Sequence, residues 1–355
     1  MAFMEKSYKI DKFKLKKLYK KLKVEGNVSN LFDISVLEQL VNFLFNTFPS
    51  DKNKDYLKVL KKEASEYKTG AIIVPHIESF LNQGMFIPEV IEPRYTDIHL
   101  SDNDTIKIAK EFYAQTDKFF SDKLEAFLEN GNSHIEFFNP RPGWDGCSFL
   151  LPNQNDAYVT IPNHRTISKL SIAIHELQHV IDFFHNNTFS YQFLVREISS
   201  LFMEMISLDY IGKKLELEED SYIRRFYLHS IIKTDGFCFL AKDELLNAIK
   251  EHSQLSSGDL VKFLCDEFEY TKKELYNFSL NDIKSLSLYQ ISYLIAIELY
   301  YIYQQDKKVA LNILKDIILK ANDQNFMHIL NNNGITLNKS VVQYEDDLCR
   351  KLELI

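Results

Sequence analysis

Ser171-Ile172-Ala173-Ile174-His175-Glu176-Leu177-Gln178-His179-Val180-Ile181-Asp182 is the stretch from which the rest of the chain can be read. His175 and His179 are four residues apart, which on an α-helix puts two imidazoles on one face, a turn from each other. That is the bite one zinc ion needs from two histidines, and Glu176 beside them is placed to act on metal-held water. The surroundings are apolar (Leu170, Ile172, Ala173, Ile174, Leu177, Val180, Ile181, Phe183, Phe184), so the helix reads as buried and its histidines as largely desolvated. With 10 histidines and 50 acidic residues in 355, chance supplies roughly 0.04 such matches. The plain alternative is a pair of core histidines satisfied by hydrogen bonds beside a helix glutamate.

A second helix offers what the first lacks. In Arg196-Glu197-Ile198-Ser199-Ser200-Leu201-Phe202-Met203-Glu204, offsets of three and seven bring Glu197, Ser200 and Glu204 onto one stripe. Two carboxylates among Ile198, Leu201, Phe202, Met205 and Ile206 are costly to bury unpaired, and a divalent cation facing them offsets that cost. Glu197 follows His179 by 18 residues. A helical hairpin turning near 185–188 therefore brings it to the histidines as third ligand, with Glu204 behind as a carboxylate holding a ligand imidazole in its tautomer. A pair of solvated glutamates is the alternative.

Composition narrows the class. Glycine (10) and proline (8) are scarce, which with long periodic segments predicts a mainly α protein of two domains or one large one. A net charge of −8 argues against a nucleic-acid partner. The exception is the lysine-rich N-terminus (Lys6 to Lys23), which reads as an amphipathic helix with a solvated basic face. No apolar run reaches the roughly 18 residues of a membrane span, and the opening residues lack a secretory layout. Cys147, Cys238, Cys265 and Cys349 have no paired spacing and read as reduced. Cytoplasmic location is the expectation, with signal-independent export left open; oligomeric state is not legible.

Along the chain, residues 1–135 read as successive helices, with a buried stripe at Val36, Leu37, Leu40, Val41 and Leu44 behind candidate caps Asp33 and Ser35. Helical periodicity continues at Tyr56 to Leu60 and at Ile106 to Leu128, and 70–75 and 88–93 read as connections. The loop from Gly131 to Gly146 is followed by Ala157-Tyr158-Val159-Thr160-Ile161, a strand stopped by Pro162. A strand just before the metal helix suits pairing with an extended peptide, so Tyr158, Val159 and Thr160 are candidate substrate-binding residues; a structural strand is the alternative. Residues 211–355 read as further helices, with a turn at Asn331 to Gly334.

Taken together, these residues resemble the thimet oligopeptidase and oligoendopeptidase F family of zinc peptidases. Arg141-Pro142-Gly143, the strand, His175-Glu176-x-x-His179 and Glu197-x-x-Ser200-x-x-x-Glu204 stand in that family's order, and Tyr289 to Ala296 is similar to its tyrosine-bearing segment. The resemblance spans roughly 136–310. It implies a multi-helix, zincin-like fold with a small sheet beside the active-site helix, and a 1–135 helical region ahead of a 136–355 catalytic domain. It further implies one zinc ion on His175, His179 and Glu197, with Glu176 as general base. Glu204 and Asp182 would support ligands, Tyr289 or Tyr293 would donate to the oxyanion, and Arg141 and Gly143 would meet a peptide substrate. The chain departs from the pattern at Gln178, where glycine is usual, and at Asp182, where histidine is common. It also has a shorter stretch between His179 and Glu197, no histidine ahead of Tyr289, and a far shorter N-terminal region.

Two rivals stand beside this expectation. His175-x-x-x-His179-x-x-Asp182-x-x-His185 has metzincin spacing and would suit a toxin- or effector-like protease with one protein target. On a continuous helix, however, His185 lies about 240° round from His179. The other rival is a catalytically inactive helical interaction protein.

Overall fold

The computed structural model describes residues 9–25, 31–45, 100–129, 134–139, 146–163, 168–183, 192–215, 248–267, 280–322 and 324–335. Helices α1 (Lys12–Glu25), α2 (Leu31–Phe45), α3 (Asp102–Thr116) and α4 (Lys118–Glu129) precede a sheet of β1 (Ile135–Phe138), β2 (Cys147–Leu151) and β3 (Asp156–Pro162). Six further helices follow: α5 (Ser168–Phe183), α6 (Gln192–Lys214), α7 (Ser257–Glu267), α8 (Leu280–Gln305), α9 (Lys307–Lys320) and α10 (Phe326–Asn332). The mainly α expectation holds, and the sheet stands against α5. Among the described residues no helix is long and apolar enough to cross a membrane.

Helix α5 is the centre of the main core. Leu170, Ala173, Ile174, Leu177, Val180 and Ile181 recur at three- and four-residue steps, and none is exposed. They meet Val195, Ile198, Leu201, Phe202 and Met205 of α6, and α8 packs on the other flank of α6. Burying each such side chain contributes about 1.5–3 kcal/mol, so this helix pair is held by packing rather than by propensity. Residues 106–128 of α3 and α4 join the same core. The Tyr113 hydroxyl reaches across it to donate to the Ile174 carbonyl at 2.9 Å. Lys169, only 1% exposed, is anchored by three acceptors: Leu100 O at 3.1 Å, Asp102 Oδ1 at 2.7 Å and Asn163 Oδ1 at 2.8 Å. The start of α5 is thereby tied to α3 and to the end of β3.

The sheet order is β1-β3-β2. β1 runs parallel to β3 with Ile135 opposite Val159, and β2 runs antiparallel with Phe149 opposite Tyr158. Side chains alternate between faces. Leu150, Ala157, Val159 and Ile161 enter the main core, whereas Phe149, Leu151 and Tyr158 pack on Leu15, Leu22, Leu37 and Leu40 of α1 and α2.

Several readings change here. The predicted strand at 157–161 is β3, but it is the central strand, hydrogen-bonded on both sides. Tyr158, Val159 and Thr160 therefore have no free edge to offer a peptide, and the substrate-pairing expectation for them is corrected. β1 and β2 are the two outer strands; β1 falls in the stretch read as loop, and β2 follows it directly. The helical run from Ile106 to Leu128 is two helices, broken at the extended residue Asp117, whose carboxylate caps Phe119 N at 2.8 Å. Asp33 and Ser35 lie inside α2 rather than ahead of it. The turn after α10 is as read, with Gly334 at φ 78°, the left-handed region glycine supplies without strain. The readings at 56–60, 70–75 and 88–93 lie outside the described residues.

Candidate metal centre

α5 and α6 bring three donors together. His175 Nε2 is 3.5 Å from Glu197 Oε2, and His179 Nε2 is 3.5 Å from Glu197 Oε1. These gaps exceed a good N–H···O hydrogen bond. They match the edge of a metal tetrahedron, where bonds of about 2.1 Å leave neighbouring donor atoms roughly 3.4 Å apart. The two imidazoles meet edge to face at 4.8 Å between centroids. Glu197 is buried, and its Oε2 has no hydrogen-bond partner. A buried carboxylate that faces one ring nitrogen with each oxygen, one of them orphaned, fits a cation and is costly without one.

The opposite nitrogens fix the tautomers. His175 Nδ1 stands 3.1 Å from Glu204 Oε2, and Ser171 donates to the other oxygen of Glu204 at 2.5 Å. An ionised carboxylate only accepts, so His175 Nδ1 carries a proton, and Nε2, facing Glu197, is the nitrogen that holds either a second proton or a cation. His179 Nδ1 is 2.9 Å from Ser200 Oγ, which itself donates to Arg196 O at 2.8 Å. Both histidines thus present Nε2 to the same point. Ser171 was legible, being one turn before His175 on the same helix face, but it carries no motif of its own.

Charge follows from this enclosure. Burial works against a charged His175, yet the Glu197 and Glu204 carboxylates outweigh it and raise its pKa well above the usual histidine value. His179 is held well below that value by burial and by positive His175 and Arg196. The pocket is built to hold positive charge. Glu176 is 6% exposed and its pKa is pushed up to about 7, first by burial and then by the negative Glu197 and Glu204, against His175 and Ser148. Its carboxylate and the two histidine ligand atoms all lie within 4.8 Å of one another. Glu197 spans both Nε2 atoms, whereas Glu176 is hydrogen-bonded to Ser148 at 2.8 Å.

Other expected residues fall differently. Asp182 does not support a ligand imidazole: its hydrogen bonds go to Gln178 at 2.7 Å and to Ser199 of α6. Burial raises its pKa to about 8 despite those bonds and nearby Arg196. The departures at 178 and 182 are thus partners in a polar cluster that ties α5 to α6. Tyr293 is buried on α8 within the main core; Tyr289 lies on the same helix, its side chain outside the described residues. Arg141, Gly143 and His185 also lie outside them. Cys147 and Cys265 are free. Cys147 is solvent-exposed at the start of β2.

No protein-family model matches the chain, and no curated protein matches it. Among solved structures it is similar to a protein from Bacillus anthracis strain Ames assigned as an oligoendopeptidase F. The TM-score is 0.55 and the identity 15%, over 96% of this chain and 62% of that one. It is also similar to PZ peptidase A with an inhibitor (TM-score 0.53, 12% identity, 86% of this chain and 60% of that one). Another structure assigned as an oligoendopeptidase F gives 0.51 and 12%, over 86% and 59%. The chain spans about three fifths of the length of these proteins. At such identities the likeness is one of fold, a mostly helical architecture with a small three-stranded sheet.

Proposed function

We propose that this chain is a zinc-dependent peptidase that hydrolyses peptide bonds in peptide or protein substrates. The observation that carries the reading is Glu197, whose two oxygens each stand 3.5 Å from the Nε2 of a different histidine. The fold it shares with proteins named as peptidases supports the reaction class.

His175, His179 and Glu197 would hold one zinc ion, and zinc bound there supplies Lewis acidity and acidified water. Glu204 and Ser200 keep the imidazoles turned so that Nε2 remains a lone-pair donor. Glu176 accepts a proton from the attacking water and delivers it to the leaving amine; a value near neutrality suits both transfers. Desolvation of the carboxylate makes it a stronger base than it would be in water. Tyr289 or Tyr293 on α8 would donate to the developing oxyanion, and Arg141 and Gly143 would contact the substrate, as the family resemblance implies.

The test is mass-spectrometric mapping of a peptide library with the intact protein and Glu176→Gln in parallel, alongside metal analysis. Cleavage by the parent protein alone, with one zinc per chain in both, is the expected result. Libraries left intact by both proteins would count against hydrolysis, and metal-free protein would count against the zinc reading.

A further inference from the structure

The base assigned above is gripped from the sheet by two residues that no motif singled out. Ser148 Oγ lies 2.8 Å from Glu176 Oε2 and 2.8 Å from the Glu176 backbone carbonyl. Ser148 alternates with Cys147 and Phe149 along β2, so it points to the α5 side while Phe149 packs toward α1 and α2. A serine hydroxyl carries one proton. It therefore serves these two acceptors one at a time, and the carboxylate oxygen is the one with charge to satisfy.

Two residues earlier, Gly146 closes the same grip by what it lacks. A Cβ at this position would stand 2.6 Å from Ile172 Cγ2, 2.9 Å from Glu176 Cγ and 3.0 Å from Glu176 Oε1. Its bare backbone lies directly on the Glu176 side chain, and any methyl group there would push the carboxylate aside.

We infer, resting on the peptidase reading, that Ser148 and Gly146 are positioning residues for Glu176. The hydroxyl anchors Oε2, and the missing side chain at 146 leaves Oε1 clear to meet the reacting water. A glutamate has three side-chain torsions to lose on ordering, and a general base works only within hydrogen-bond reach of the proton it takes. Holding one oxygen from a rigid strand settles that conformation before substrate arrives.

The test compares parent protein, Ser148→Ala, Ser148→Thr and Gly146→Ala, reading kcat and KM separately, zinc per chain and thermal midpoint, with Glu176→Gln as benchmark. Ser148→Ala should lower kcat by about 10- to 100-fold while KM stays within about twofold and zinc stays stoichiometric. Ser148→Thr, which restores a hydroxyl, should recover kcat to within about threefold of the parent. Gly146→Ala should lose kcat at least as severely. A Ser148→Ala protein with parental kcat, or one whose loss follows zinc or KM, overturns the inference. The Glu176→Gln benchmark separates this from failure of the underlying reading. If the parent cleaves and Glu176→Gln does not, the Ser148 variants alone decide. If both cleave equally or neither cleaves, the peptidase reading falls and the inference falls with it.

Discussion

Ser200 stands 2.9 Å from His179 Nδ1 with its own proton committed to the Arg196 carbonyl at 2.8 Å. It can therefore only accept from the imidazole, and a hydroxyl with one hydrogen decides which nitrogen of His179 carries a lone pair. Ser200→Ala removes that constraint without touching a ligand. Zinc affinity should fall about 10- to 100-fold, read by competition with a fluorescent chelator. Parental affinity in the variant would show that the tautomer is held by other means.

Metal retention sorts Glu197, His175 and Glu176 by role. Glu197→Ala should leave the protein without stoichiometric zinc after dialysis, as should His175→Ala, whereas Glu176→Gln should keep one equivalent. Elemental analysis of the purified variants checks all three. A Glu197→Ala protein with full zinc would move the third ligand elsewhere.

The acid limb of activity belongs to Glu176. The base must be ionised to accept a proton, so kcat/KM should fall as pH drops through its folded value. Burial pushes that value up to about 7, and a cation on the neighbouring histidines pulls it back down, because positive charge favours the carboxylate. The limb should therefore lie at or below about 7 and be absent from any residual activity of Glu176→Gln. A limb well above neutrality would remove Glu176 from the role.

Asp182 sets a stability slope of the opposite sense to the usual carboxylate. Its folded value is raised from 3.8 to about 8. Between those values the folded chain keeps a proton that the unfolded chain has lost. Stability from this group is thus fullest in acid, declines as pH rises through the window, and levels above it. Asp182→Asn should flatten that decline in urea midpoints measured from about pH 5 to about pH 8. An unchanged slope in the variant would assign it to other groups.

Lys169 is a structural anchor outside the metal site. Lys169→Met keeps the apolar stem but strands the Leu100 carbonyl and Asn163 and releases Asp102. A loss of about 2 kcal/mol in urea unfolding is expected, with zinc content and kcat unaffected. A neutral substitution would mean that water replaces the ammonium group at no cost.

Much of the centre was legible because its geometry is local. The four-residue step between His175 and His179 and the three- and seven-residue steps from Glu197 to Ser200 and Glu204 are consequences of helix pitch. Any buried helices there would present those faces. The scarcity of glycine and proline announced a helical chain for an equally local reason.

What periodicity leaves open is which element lies next to which. Strand β3 has the alternation of a strand, but whether its backbone faces a neighbour on one side or two depends on β1, read only as loop, and on β2 beyond it. The family resemblance made Asp182 a ligand's support; α6 instead placed Ser199 against it. Ser148 meets Glu176 across 28 residues of sequence. Repeats along one helix are written in the order of residues, so sequence alone determined which donor side chains share a helix face. Contacts between elements are selected by how the whole core packs, and only that packing decided which backbone edge is free and what holds the glutamate in place.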